Sequence, residues 1–255
     1  MHSLSVAIIT YNEEKNIEQC IRSVKDIADE IIVVDSFSTD LTPEICKKLN
    51  VTFIQHPFEG HIQQKNYARL QCSHNLVLSL DADEALSEEL RESIINVKKS
   101  HISDGYTCNR RNHFCGTQVN HSGWYPDKSL RLWNKNKGEW GGSNPHDKFI
   151  MVPDAKITHL NGDLLHYTTH SVEQAIIQIN KFSTISAQSK FEKNKKSSII
   201  KIILFPVWRF TRNYFLKAGF LDGLTGFIIC KNAAYTVYLK YLKLYYLQNN
   251  KGNKP

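Results

Sequence analysis

Residues 76–84, LVLSLDADE, join a largely apolar run, Leu76 to Leu80, to the acidic group Asp81, Ala82, Asp83 and Glu84. A strand cannot bury two unpaired charges, so this run must reach the surface at Asp81. Carboxylates at i and i+2 on a strand end point the same way and can share one hard cation, Mg²⁺ or Mn²⁺, with a phosphate-bearing ligand. On their own, the same residues could also be an acidic loop capping a helix that starts near Ser87.

Before that stretch the pattern alternates. Leu4 to Ile9 is a short apolar run ending in Thr10, Tyr11 and Asn12. Ile17, Cys20, Ile21 and Val24 then recur at i, i+3, i+4 and i+7, which predicts a helix from Glu13 to about Ile27 with Asn12 as its cap. Ile31 to Val34 reads as a strand ending at Asp35, a helix begins near Pro43 behind Thr42, and Val51 to Ile54 is a third strand. Ile62 to Leu70 suits a helix, and Leu76 to Leu80 is the fourth strand. Short apolar strands alternating with helices predict a parallel α/β sheet covered on both faces, with its ligand outside the carboxyl ends of the strands. Three such ends carry polar residues: Thr10 to Glu13, Asp35 to Asp40, and Asp81 to Glu84.

Neither GxGxxG nor GxxxxGK[ST] follows any strand, which argues against a dinucleotide oxidoreductase or a phosphate-loop NTPase. The 255 residues, 41% hydrophobic and 22% charged, suffice for a sizeable core. Six cysteines without a CxxC pair, and an N-terminus without a basic region ahead of an apolar core, lead us to expect a reduced, cytoplasmic protein. The net charge of +7 is unevenly divided. Residues 193–255 hold twelve Lys and Arg and one acid, Asp222, whereas residues 1–192 hold 20 basic and 24 acidic side chains. We therefore expect a mildly acidic body, residues 1–192, and a basic, aromatic extension, residues 193–255, facing an anionic partner.

The strings SVAIITYNEEKNIEQCIRSV, DEIIVVDSFSTDLT, QQKNYA and LVLSLDADE, in this order, resemble the nucleotide-diphosphosugar transferases of glycosyltransferase family 2. The later strings GWYPDKSLRLWNKNKGEWGGSNPHDK and GFLDGLTGFIICKNAAYTVYLKYLKL are similar to the bacterial lipopolysaccharide inner-core β-1,4-glucosyltransferases. The resemblance spans about residues 3–245. It implies a GT-A fold, a Rossmann-like, mostly parallel sheet covered by helices. It also implies a UDP-sugar donor, Mg²⁺ or Mn²⁺, and a heptose acceptor in the lipopolysaccharide core.

Carried over by position, the resemblance assigns Thr10, Tyr11, Asn12 and Glu13 to the nucleotide-binding turn. It assigns Asp35 to the uracil ring, where an acceptor-only carboxylate suits an imide N–H. The alternative for Asp35 is a turn former, a part better suited to Asp40 or Thr42. Lys65 matches a basic position near the diphosphate, its alternative being a solvated helix face. Asp81 and Asp83 match a DxD motif, with Asp83 the more direct metal ligand and Asp81 toward the ribose or a metal-bound water. His166, in LLHYTTHS, is the candidate third ligand, although His166 and His170 at i, i+4 also fit an ordinary helix. Asp147, in NPHDK, matches the base that takes the acceptor proton, and Asp127, in WYPDK, is the runner-up. Gly138, Gly141 and Gly142 around Trp140 suggest a mobile acceptor loop or a plain turn.

In the extension, Ile199 to Trp208 is broken by Lys201 and Pro206, Arg209, Arg212 and Lys217 surround Tyr214, and Asp222 interrupts the next run. No stretch reaches the roughly 18 to 20 apolar residues that span a bilayer. Tyr235, Tyr238, Tyr241, Tyr245 and Tyr246 beside Lys240 and Lys243 suit helices lying in the interface of an anionic membrane. We expect a peripheral location on the cytoplasmic face of the inner membrane, with packing on the body or a homo-oligomer contact as the alternative. A nucleic-acid partner is not expected, because the acidic strand ends would repel phosphate. The rival enzyme classes are a polyprenyl-phosphate glycosyl synthase, whose anionic acceptor needs no base, and a metal-dependent nucleotidyltransferase.

Overall fold

The computed structural model describes residues 1–100, 102–143 and 146–249. Asn144 and Pro145 of the NPHDK string and the last six residues of the basic extension lie outside the described residues. The chain forms two compact units. One comprises residues 1–111 and 127–167, the other residues 112–126 and 168–255.

The first unit opens with β1 (Leu4–Thr10), α1 (Ile17–Val24), β2 (Glu30–Asp35), α2 (Thr42–Lys48), β3 (Thr52–Gln55), α3 (His61–Gln71) and β4 (Leu76–Asp81). Next come β5 (Glu84–Leu86), α4 (Glu88–Lys99) and β6 (Gly105–Phe114), and after β7 (Thr117–Gln118) the unit resumes with β8 (Asp127–Asn134), β9 (Gly138–Ser143), β10 (His146–Met151) and β11 (Ile157–Thr169). The strand order is β3-β2-β1-β4-β8-β6-β11-β5, and β7 pairs with the end of β6. Strands β1 to β4 are parallel, as their continuous apolar runs led us to expect.

The other half of the sheet departs from that expectation. Strand β8 joins β4 antiparallel, β6 joins β8 antiparallel, and β11 joins β5 antiparallel. These strands carry polar residues along their length, so no apolar run announced them.

Helices cover both faces of the parallel half. Val6 and Ile8 of β1 pack with Ile17, Ile21 and Val24 of α1, whereas Ala7 packs with Ile32, Val34, Ala68 and Val77 on the other side. Each fully buried Ile or Val contributes about 1.5–3 kcal/mol relative to exposure, so the α1 stripe alone fixes that helix to the sheet. Helix α4 starts where the sequence suggested, and its cap is Ser87, which accepts from the Leu90 N–H at 3.2 Å. Gly162 of β11 has φ +90, and a Cβ there would collide with the Leu90 nitrogen at the start of α4. That contact sets β11 against α4.

The second unit holds β7 and three helices, α5 (Val172–Glu192), α6 (Ile199–Thr211) and α7 (Gly223–Asn249). Helix α5 thus clusters with the basic extension, although it precedes residue 193. A π turn at Arg212–Leu216 and a short 3₁₀ turn at Gly219–Asp222 reverse the chain between α6 and α7. The reversal is tight, since a Cβ on Gly226 would meet the carbonyl oxygen of Gly219. Among the described residues, no helix is long and apolar enough to cross a membrane.

Candidate active site

Parallel pairing places Thr10 opposite Asp35 and Ile9 opposite Asp81, so β1, β2 and β4 deliver their following residues to one edge. Asp35 is fully buried. Its Oδ2 accepts from the Ser38 N–H at 2.9 Å and its Oδ1 from the Ser38 hydroxyl, so Asp35 does shape its own turn. Asn12 is not the cap of α1. It sits at φ +54, where its Oδ1 accepts from the Thr39 N–H at 2.8 Å and its N–H donates to Ser38 Oγ at 2.8 Å. The short amide side chain tolerates this left-handed backbone and staples the two strand-end loops together. Glu13 adds a second staple, its N–H donating to Thr42 Oγ1 at 2.9 Å. Burial, against the pull of a 2.6 Å bond from Asn16, pushes the Glu13 carboxyl up to about 7, with Asp83 adding to the rise. Tyr11 and Phe37 are half exposed at this edge, and Thr10 Oγ1 is buried without a partner.

The acidic pair is held from beneath. Lys65 on α3 is only 5% exposed, so it is not a solvated helix lysine. Its Nζ lies 3.0 Å from Asp81 Oδ1 and 2.8 Å from Asp147 Oδ2, and sits 4.5 Å from the centre of the Trp140 ring. Arg131 on β8, 3% exposed, donates to Glu84 Oε1 at 2.5 Å and to Asp81 Oδ2 at 3.3 Å. Glu84 Oε2 in turn accepts from the Asp81 N–H at 2.9 Å. Burial would raise the Asp81 carboxyl, but the charges of Lys65 and Arg131 outweigh it and hold Asp81 well below the carboxylate range. The same burial, not fully offset by Arg131 and reinforced by Asp81, raises Glu84.

Antiparallel pairing of β11 with β5 sets His166 opposite Glu84, and the Tyr167 N–H donates to the Asp83 carbonyl at 2.9 Å. His166 Nε2 thereby stands 3.2 Å from Asp83 Oδ2. Burial disfavours the imidazolium, yet the bond and charge of Asp83 keep its pKa above the ordinary value. His166 belongs to a strand, not to a helix shared with His170. Asp127 lies at the start of β8 and pairs with Arg110 at 2.8 Å, which is 3.8 Å from Glu84.

Of the three ligands that the resemblance implies for a divalent cation, Asp83 and His166 have the chemistry and the placement to hold one. Asp81 is occupied by two cations, and among the described residues no three His, Cys, Asp or Glu side chains form a ready-made cage. Asp83 and His166 remain as two adjacent donors. Mg²⁺-type sites commonly use one or two carboxylates and complete the shell with water and substrate phosphate. Five carboxylates (Asp81, Asp83, Glu84, Asp127, Asp147) meet three permanent cations (Lys65, Arg110, Arg131), leaving two negative charges in excess. Asp81 Oδ1, although 3.0 Å from Lys65 Nζ, is buried and accepts no hydrogen bond.

Arg131, Arg110 and the Asn66–Trp140 clasp were not foreseen. Asn66 grips Trp140 through both backbone groups, at 2.8 and 2.9 Å, and Trp140 packs on Trp133 and Phe149. The glycine-flanked segment is therefore strand β9, paired with β10 in a hairpin that carries Asp147 opposite Gly142, rather than a loose loop. A signal for Arg131 existed: it stands two residues before the fully buried Trp133, on the same face of β8, where a charge demands a buried partner. Arg131→Met should lower stability by about 3 kcal/mol by stranding Glu84, a fall in Tm of roughly 10 °C for a chain of this size. Thermal unfolding in chelator measures this, and an unchanged Tm would show that Glu84 does not depend on Arg131.

The Glycosyl transferase family 2 model matches residues 5–153. An uncharacterized glycosyltransferase of Rickettsia typhi is 34% identical over 254 residues, covering 96% of this chain and 87% of that protein. The lipopolysaccharide core biosynthesis glycosyltransferase LpsC of Rhizobium meliloti is 32% identical over 251 residues, covering 95% of this chain and 92% of its own length. Among solved structures, S. aureus TarS 1-349 aligns with a TM-score of 0.48 and 16% identity, covering 99% of this chain and 93% of that one. The α/β sheet with its acidic carboxyl edge is of the GT-A type, and the chain belongs to glycosyl transferase family 2.

Proposed function

We propose that this glycosyltransferase moves a hexose, glucose, from a UDP-sugar to a hydroxyl of a lipid-linked saccharide, a heptose of the lipopolysaccharide inner core, with inversion at C1. The observation that carries the reading is the convergence of Asp83–His166, Lys65–Asp81 and Asp147 at the carboxyl edge of the sheet. The name of the relative LpsC supports the acceptor class. Thr10, Tyr11, Asn12, Glu13 and Asp35 hold the nucleoside, with the exposed Tyr11 ring available to the base. Lys65 and Asp81 lie toward the diphosphate and ribose. Asp83 and His166 hold Mg²⁺ or Mn²⁺. When bound, the cation neutralises the charge that gathers on the departing nucleoside diphosphate.

Asp147 acts as the base. The acceptor oxygen bonds to C1 as the C1–O bond to the diphosphate breaks, and the hydroxyl proton passes to the Asp147 carboxylate. Asp147 is preferred to Asp127 because it touches Lys65 beside Asp81, whereas Asp127 reaches the cluster only through Arg110. Asp147 as a base favours this reading over a polyprenyl-phosphate synthase, whose anionic acceptor needs none. We place the reaction at the cytoplasmic face of the inner membrane, where a soluble donor meets a lipid-linked acceptor.

The test is product analysis with UDP-glucose, Mn²⁺ and a panel of truncated core glycolipids. We expect β-linked glucose on heptose-terminated acceptors. Transfer to polyprenyl phosphate alone, or consumption of nucleoside triphosphates without any UDP-sugar, would replace this reading.

A further inference from the structure

Helix α6 is inside out. None of its thirteen residues is buried, and the stripe at i, i+3/4 and i+7/8 that faces solvent, Ile199, Ile200, Ile203, Leu204, Val207 and Trp208, is wholly apolar. A surface helix ordinarily turns such a stripe inward. Here the inward contacts are made by other residues: Phe205 meets the edge of Tyr241, and Phe210 stacks on Tyr214 and meets Phe227. The apolar surface continues around the turn, where Leu216, Leu221 and Leu224 are each more than 60% exposed.

That turn is built rather than loose. Asp222 accepts from the N–H groups of Asn120 and His121 at 3.2 and 2.8 Å, and His121 Nδ1 lies 2.8 Å from its carboxylate. Its side chain is 4% exposed. Asp222 is the one acid from α6 through α7, so this surface shows no free carboxylate to set against Lys201, Arg209, Arg212, Lys217 and Lys231. A second copy docking face to face would bring like charges together. An anionic lipid surface supplies both the complementary charge and an apolar layer.

We propose that α6, the π turn and the first turn of α7 form a wedge that lies in the interface of an anionic membrane. The apolar stripe enters the acyl boundary and the cations meet the headgroups. This narrows the membrane surface expected of the whole basic extension to α6 and the turn that follows it. At the tyrosine-rich end of α7, Lys243 ties that helix to α5, its Nζ lying 2.7–2.9 Å from the Asn180 carbonyl and side-chain oxygens and the Ser183 and Thr184 hydroxyls. The wedge deepens the membrane location proposed above but stands on the second unit alone.

The full chain is tested by flotation with phosphatidylglycerol-rich and with phosphatidylcholine vesicles. We expect binding to the former, with a blue shift of Trp emission that Trp208→Phe removes. The triple variant Ile203→Ser, Leu204→Ser, Trp208→Ser should weaken partition by about a hundredfold, since each exposed large apolar side chain contributes once buried. Neutralising Arg209 or Lys217 should cost about fivefold each, the equivalent of roughly 1 kcal/mol per charge. High salt should remove only the electrostatic part. Wild-type binding by the triple variant would overturn the wedge, as would a wild-type dimer that the triple variant dissociates without any change in vesicle binding. Transfer to a lipid-free acceptor saccharide separates the two proposals: it should survive in the triple variant, and its absence in the wild type would fault the reaction without touching the wedge.

Discussion

Asp83→Ala is expected to abolish Mn²⁺-dependent binding of UDP and to lower transfer by at least about 10³-fold, the scale of an electrostatic stabiliser lost from a transition state. Asp83 is the acid of its motif left free for a cation. Asp81 is committed to Lys65 and Arg131, and Glu84 to Arg131 and the Asp81 N–H. Among the described residues the Asp83 carboxylate pairs with the His166 imidazole and with no Lys or Arg. Its backbone carbonyl, which accepts from Tyr167, is unaffected by the substitution, so the β4–β5 corner should keep its shape. Calorimetry of UDP binding with and without Mn²⁺ reads the effect apart from turnover. In the variant, affinity with the metal should fall to the metal-free level. His166→Ala should do the same more weakly, because Asp83 still supplies a charged ligand. Wild-type UDP affinity in Asp83→Ala would sink the assignment and move attention to Asp81.

How much of this was legible in the sequence follows from where the burial lies. Strands β1, β2 and β4 are covered on both faces, so their apolar runs are continuous and end abruptly at Thr10, Asp35 and Asp81. The antiparallel half hides its strands. Residues 105–114, GYTCNRRNHF, are buried or half-buried without regular alternation and carry two arginines, so neither period nor composition marks them as sheet. His166 shows the same limit. An i, i+4 pair of histidines reads equally well as helix, and only the pairing of β11 with β5 brings it to Asp83. Arg131 pairs with residues 47 and 50 positions away, a separation over which no local pattern operates. Gly138 to Gly142 misled for another reason. Glycines near a tryptophan suggest a loop, but the stacking of Trp133 on Phe149, with Trp140 against both, pins the segment as a hairpin.

That hairpin fixes the second large effect. Asp147→Asn should lower kcat by about 10²–10³-fold with little change in donor affinity, because a general base acts on the acceptor proton only as the bond forms. Asparagine keeps the size and most of the hydrogen-bonding capacity of the side chain, so the carboxamide can still accept from Lys65 while losing the ability to take a proton. Lys65 would then hold a single carboxylate, Asp81, instead of bridging two. A role for Asp147 confined to orienting Lys65 predicts a different pattern. The loss would appear in the KM for the UDP-sugar, and Lys65→Met would reproduce it. Asp127→Asn supplies the counter-test. Asp127 is tied to Arg110, whereas Lys65 pairs with Asp81 and Asp147, so the Asp127 amide should leave kcat within a few fold of wild type. A kcat loss in Asp127→Asn, beside a nearly active Asp147→Asn, would transfer the base to β8 and leave Asp147 as the counter-charge that holds Lys65 in place.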